Sequence, residues 1–204
     1  MKTAMLLIGL TGPTGAGKSL VSKALSERGC FVMDGDDAAR EAVMPGSPVL
    51  AELAGRFGPD AVRADGSLDR KLLAERAFSS PEGTAALNAI THPAITERIF
   101  ERLAAAEKDG FTSAVIDAAA LFESGIDGRC DIVAAVTAPK DVRLKRVMLR
   151  DGLDENAARL RMDAQKNEAY YEQRADMVIH NGNSDDLYAQ IEKLYQMIVR
   201  KLEP

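Results

Sequence analysis

Two kinds of apolar spacing alternate along the chain. Met5 to Leu10, Cys30 to Met33, Ser113 to Ile116 and Asp131 to Val136 are continuous apolar runs of the kind expected for central parallel strands buried on both faces, and Met177 to Ile179 is a shorter fifth candidate. Between the first two runs, Leu20, Val21, Ala24 and Leu25 fall at helical spacing, and Gly29 suits the position just past a helix end. Residues 5–33 therefore predict a βαβ unit, a doubly wound start. From Asp37 to Asp109 helical spacing is interrupted by Pro45-Gly46-Ser47-Pro48, Gly58-Pro59 and Asp65-Gly66-Ser67, with no strand pattern, which predicts a mostly helical insert. Its last segment, Pro81 to Lys108, contains His92-Pro93, where the proline should kink or restart the helix.

Pro139 to Gln173 predicts two charged helices hinged near Asp151-Gly152, with Asp154 as an N-cap, a lid-like arrangement. The final helix carries Leu187, Ile191, Leu194 and Ile198 on one stripe, a packing face for the sheet. The expected organisation is an α/β core from residues 1–36, 110–138 and 174–204, a helical substrate-binding insert at 37–109, and a helical lid at 139–173.

Composition narrows the class. At 204 residues the chain buries about 70 % of its unfolded surface without needing a covalent staple. Cys30 and Cys130 form no metal-binding or redox spacing and read as small core residues in a reducing compartment. Only Lys2 precedes the first apolar run, which leaves no room for a leader or a membrane span, so a soluble cytoplasmic protein without membrane partners is expected. A net charge of -5 excludes a nonspecific nucleic-acid binder, whose affinity rests on neutralising phosphates.

The most specific local signal is Gly12-Pro13-Thr14-Gly15-Ala16-Gly17-Lys18-Ser19, which follows the first strand and opens a helix. This spacing, G-x-x-x-x-G-K-[ST], lets successive backbone N–H groups, including those of Thr14, Gly15, Ala16 and Gly17, curl around a polyphosphate at the positive end of the helix dipole. Lys18 then reaches the outer phosphates and Ser19 is placed to ligate Mg²⁺. A P-loop NTPase fold follows: a three-layer, doubly wound parallel sheet of about five strands.

Asp34-Gly35-Asp36-Asp37 comes at the end of the second strand, the side on which open parallel sheets bind ligands. One or two of these carboxylates can accept a proton from an acceptor hydroxyl or hold magnesium through water; alternatively Asp36 or Asp37 caps a helix beginning near Ala38. Arg143, Arg146 and Arg150 share one helical face, with Arg159 and Arg161 on the next helix. One or two of these five, Arg146 first, are candidates for offsetting charge on a moving phosphoryl group. Asp117 stands at the Walker-B position or caps its strand. Asn181 presents its amide to an adenine edge or forms a left-handed turn with Gly182.

Taken together these residues resemble the dephospho-CoA kinase family. The resemblance runs through Ile8 to Ser19, Asp34-Gly35-Asp36 with Ala38-Ala39-Arg40, the Pro45-Gly46-Ser47-Pro48 turn, Asp65 to Arg70, His92-Pro93, Leu121 to Gly125, Arg146 with Arg150 to Leu153, Arg161 with Gln165, and Asn181-Gly182. It implies ATP-dependent phosphorylation of the ribose 3′-hydroxyl of dephospho-coenzyme A, with ATP and Mg²⁺ as cofactors. It further implies that Asp36 is the base, that Lys18 and Arg146 contact the phosphates, and that Asp34, Arg40, His92, Leu121 and Arg161 lie on the substrate side. The chain has Ala119-Ala120-Leu121-Phe122-Glu123 where the family usually has Pro-Leu-Leu-Phe-Glu, along the acceptor-pocket wall. Two competing readings are a nucleoside or nucleotide monophosphate kinase of similar layout and a noncatalytic P-loop nucleotide switch. The acidic cluster and the large insert favour an acceptor site.

Overall fold

The computed structural model describes residues 5–203; the leader expectation built on Lys2 lies outside them. Strands β1 (Leu6–Thr11), β2 (Phe31–Asp34), β3 (Ser113–Asp117), β4 (Ile132–Thr137) and β5 (Met177–His180) form one sheet in the order β2-β3-β1-β4-β5. The chain divides into two compact units, Asp34–Leu103 and the remainder.

In the larger unit, β1 is central, pairing in parallel with β3 (Leu10 beside Asp117) and with β4 (Thr11 beside Ala135), while β5 adds in parallel to β4. Every residue of β1 and β4 is buried, which is why both read as unbroken apolar runs. On one face Ile8, Leu10, Val21, Leu25, Ile191, Leu194 and Ile198 make a single cluster, so α1 (Lys18–Ser26) and α9 (Leu187–Leu202) cover β1 with their apolar stripes. The βαβ unit expected of residues 5–33 is present as β1, α1 and β2, with β3 lying between the two strands in the sheet.

Two carboxylates complete the ladder where strands begin. Asp131 Oδ2 accepts the Leu7 amide at 2.9 Å, and Asp176 Oδ2 accepts the Val133 amide at 2.8 Å. Each satisfies a backbone donor that a central strand cannot leave unpaired. The larger unit also contains α6 (Lys140–Asp151), α7 (Glu155–Asp163) and α8 (Glu168–Glu172). Gly152, at φ 65°, ends α6, and Asp154 Oδ1 caps α7 through the Ala157 amide at 2.8 Å.

The smaller unit is helical: α2 (Gly35–Ala42), α3 (Pro48–Phe57), α4 (Arg70–Ala77) and most of α5 (Pro81–Lys108). Its core gathers Val43, Leu50, Leu53, Phe57, Leu68 and Leu73. Ser47 and Asp69 cap α3 and α4, and Arg76 grips Asp60 with two 2.6 Å bonds. Among the described residues its extended pairing is one bridge, Val62 with Leu68. Of the two outcomes expected at Pro93, a kink or a restart, the restart does not occur: α5 runs through the proline as one helix. The proline removes one backbone donor, while Leu87 and Ile90 before it and Ala94 after it pack on the same cluster and hold the helix through the gap.

Among the described residues no helix is long and apolar enough to cross a membrane.

Candidate active site

Residues 12–19 leave β1 as a turn that only glycine allows. Gly12 has φ 138°, and a Cβ there would lie 2.1 Å from the Val136 carbonyl oxygen. Gly15 (φ 79°) and Gly17 (φ 98°) are likewise left-handed, and the Ala16 amide donates to the Pro13 carbonyl at 3.2 Å. α1 begins at Lys18 directly after this loop, so its unpaired N-terminal amides and dipole meet whatever anion the loop holds. Left-handed glycines running into a helix N-terminus are the backbone pattern of anion-binding loops.

Lys18 Nζ lies 4.0 Å from Asp117 Oδ1, with the two side chains only 19 % and 18 % exposed. Lys18 and Asp117 thus share a partly screened space. Ser19, the second residue of α1, is exposed.

The outer side of the loop is held by side chains from distant segments. Arg143, 6 % exposed, donates to the Thr14 carbonyl at 3.3 Å, to the Ala138 carbonyl at 3.0 Å and to Glu168 at 2.9 Å. Glu168 compensates the charge of this buried guanidinium. Arg146 approaches the Gly15 and Ala16 carbonyls at 3.4 and 3.5 Å, at the long end of hydrogen bonding. Asn181 Nδ2 donates to the Ala16 carbonyl at 2.7 Å. Gln165 Oε1 accepts the Thr14 amide at 2.7 Å, and Arg150 reaches the Thr14 hydroxyl at 3.3 Å.

Arg161, expected on the substrate side, is bonded to Asp151 at 2.9 Å. Arg150 bonds the same carboxylate at 2.7 Å and, as the larger influence, holds it below the usual carboxylate range. Asp151 thereby ties α7 to the end of α6.

Two expectations are overturned. Leu121 does not line an open pocket: it is fully buried, and its Cδ2 lies 2.7 Å from where a Cβ on Gly9 would stand. The missing side chain in β1 makes the space that Leu121 fills. Asn181 does not adopt a left-handed turn, since among the described residues only glycines have positive φ, and its Nδ2 donates to the loop.

In the smaller unit, Asp34 caps α2, its Oδ1 accepting the Asp36 amide at 2.7 Å and the Asp37 amide at 3.4 Å. α2 thus begins at Gly35, ahead of the expected Ala38, and Asp34 rather than Asp36 or Asp37 is its cap. Asp36 lies exposed in the first turn, and among the described residues its carboxylate makes no hydrogen bond. Arg40 pairs with Asp37, which raises the pKa of the guanidinium. His92 is half-buried on α5.

Sequence reading missed the loop-holding roles of Arg143, Glu168 and Gln165. Their contacts reach across 129, 25 and 151 positions, and no local spacing signals them.

The family model described as "Dephospho-CoA kinase" matches residues 6–186. A dephospho-CoA kinase from Syntrophotalea carbinolica is 47 % identical over 180 residues, spanning 88 % of this chain and 85 % of that one. A crystal structure of a Thermus thermophilus protein aligns with TM-score 0.79 at 32 % identity, over 98 % of this chain and 99 % of the other. The dephospho-CoA kinase of Campylobacter jejuni aligns with TM-score 0.68 at 27 % identity, over 96 % and 98 %.

Proposed function

The chain belongs to the dephospho-CoA kinase family, and from that premise we propose how its own residues carry ATP-dependent phosphorylation of dephospho-CoA. The carrying observation is the turn of residues 12–17, left-handed at Gly12, Gly15 and Gly17, running into an N-terminus of α1 without a side-chain cap, within a chain that matches the family over nearly its whole length.

The acceptor is the ribose 3′-hydroxyl, and Asp36 is the base. It is an exposed carboxylate with no competing hydrogen bond among the described residues, whereas Asp34 is engaged in capping α2. As the hydroxyl oxygen attacks the γ-phosphorus, its proton passes to the Asp36 carboxylate. The bond from the γ-phosphorus to the bridging oxygen breaks, and ADP carries away the electron pair. The charge spread over the moving phosphoryl group is met by Lys18 and Arg146, which act by position and electrostatics rather than by covalent chemistry.

The donors at hand suit Mg²⁺, which takes few protein ligands besides nucleotide phosphates and water. The exposed Ser19 hydroxyl is the donor assigned to it, with Asp117 beside Lys18 as the nearby carboxylate. When bound, the ion would supply electrostatic stabilisation of the charge that develops on the phosphates. Arg40 and His92 remain candidates for the coenzyme A side of the substrate, and Arg161 for shaping the segment around Asp151. The free thiols of Cys30 and Cys130 suit a reducing compartment, and we place the enzyme in the cytoplasm.

The test is ADP release from ATP with dephospho-CoA, AMP, UMP or no acceptor, with the phosphorylated position read by NMR. Turnover with dephospho-CoA alone and a 3′-phosphate product is expected. Preferential use of AMP or UMP, or acceptor-independent hydrolysis at the same rate, would overturn the reading.

A further inference from the structure

We propose that Asn181 is a positioning residue of the phosphate loop: from the end of β5 it holds the Ala16–Gly17 peptide so that the Gly17 amide faces the bound polyphosphate. The inference rests on the assignment of residues 12–19 as the ATP site.

A trans peptide places its C=O and N–H on opposite sides, so anchoring the carbonyl outward turns the next amide inward. Asn181 Nδ2 donates to the Ala16 carbonyl at 2.7 Å, and the peptide it holds leads straight into α1. That peptide needs an external hold. Gly17 sits at φ 98° as the N-cap of α1 without a side-chain cap, so nothing within the helix fixes the plane before it.

Asn181 is itself firmly placed. It is 6 % exposed, and its own amide donates to the Thr137 carbonyl at 2.8 Å, extending the β4–β5 ladder by one residue. Next to it, the Gly182 amide is taken by Asp185 at 2.5 Å. The fit to the loop is close enough to exclude a side chain at position 17, where a Cβ would lie 2.2 Å from Nδ2. Because Ala16 offers an acceptor, only the NH₂ end of an amide serves, and a carboxylate of the same shape would repel it.

Such a role is independent of the nucleobase, which separates it from contact with adenine. The probes are Mg·ATP and inorganic tripolyphosphate, titrated calorimetrically into the full-length wild type, Asn181→Ala and Asn181→Asp. With the short bond removed and the Ala16 carbonyl left only the 3.5 Å approach of Arg146, Asn181→Ala should weaken both ligands about tenfold, and Asn181→Asp at least as much. KM for ATP should rise in parallel, with KM for dephospho-CoA unchanged. Loss of stability alone would lower Tm and the active fraction without moving these constants.

Weakened ATP binding with wild-type affinity for tripolyphosphate would overturn the proposal in favour of a base contact, and unchanged affinity for both would overturn it outright. Should the variants fail to fold, the wild type decides: its Gly17 amide nitrogen and proton resonances should shift strongly on saturation with tripolyphosphate, and an unmoved Gly17 signal would reject the role. A wild type that binds neither ligand would overturn the site assignment itself.

Discussion

The side-chain carbonyl of Gln165 accepts a hydrogen bond from the Thr14 backbone amide at 2.7 Å, joining the segment between α7 and α8 to the third residue of the phosphate loop. The contact sets an acceptor without formal charge beside the loop proposed to hold the ATP phosphates. Gln165→Glu keeps the acceptor and adds a negative charge, so KM for ATP should rise about tenfold, equivalent to ~1.4 kcal/mol. Gln165→Ala should change it by less than about threefold, because water can replace a half-exposed partner. Steady-state kinetics on both variants checks the order, and equal effects would show that charge is irrelevant at this position.

Asp36→Asn removes the proton acceptor while keeping shape. Turnover should fall at least ~10²-fold, the usual scale for a positioned base, with Mg·ATP affinity retained. Near-normal kcat in this variant would reject Asp36 as the base.

Arg146 touches the loop from α6 at hydrogen-bonding limits, and the role proposed for it is to meet the charge that develops during transfer. Arg146→Ala should therefore lower kcat with little change in the ATP dissociation constant. A rise confined to KM for ATP would make Arg146 a ground-state binder.

Leu121→Ala separates core from pocket. A fully buried leucine packed against Gly9 should cost about 2–5 kcal/mol when truncated, seen as a lower urea midpoint. KM for dephospho-CoA should stay near wild type, and a selective rise in that constant with unchanged stability would restore a pocket role.

Cys130 offers a pH test. Burial first, and then the negative charges of Asp127, Asp131 and Asp176, push its thiol up from 9.0 to about 12. The native protein keeps the proton where the unfolded chain loses it, so this contribution to stability is complete below pH 9.0 and disappears as pH rises towards about 12. Iodoacetamide at pH 8.5 should label Cys130 slowly in the native state and rapidly in urea; equal rates would contradict the burial.

The strands and the loop were legible because their signals are local. A strand buried on both faces must be apolar throughout, as Leu6 to Leu10 are, and the backbone curl at Gly12, Gly15 and Gly17 needs glycine wherever the rest of the chain goes. The α9 stripe was equally readable, since Ile191, Leu194 and Ile198 repeat at the helical period. Strand order was not. A short βα connection fixes which strand comes next in the chain but not which lies beside it, and β3 pairs next to β1 only after the helical insert has been traversed.

Site residues divided along the same line. Leu121 is placed on the substrate side by the resemblance alone, and it is the space above Gly9 that makes it core. Asp34 was read as chemical where it caps, since a carboxylate before a helix serves either purpose. Arg143 was one of five similar arginines until burial and the Glu168 partner singled it out.

The loop between β1 and α1 is short, yet Ala16 is bonded to a residue 165 positions away and Thr14 to one 151 positions away. A chain emerging from the ribosome therefore carries the whole eight-letter motif long before it carries the shape that the motif denotes. Closing such distant contacts is slow and belongs to the last stages of folding. The loop is thus braced from the far end of the chain: a segment ending before Gln165 owns the glycines but neither of these two contacts.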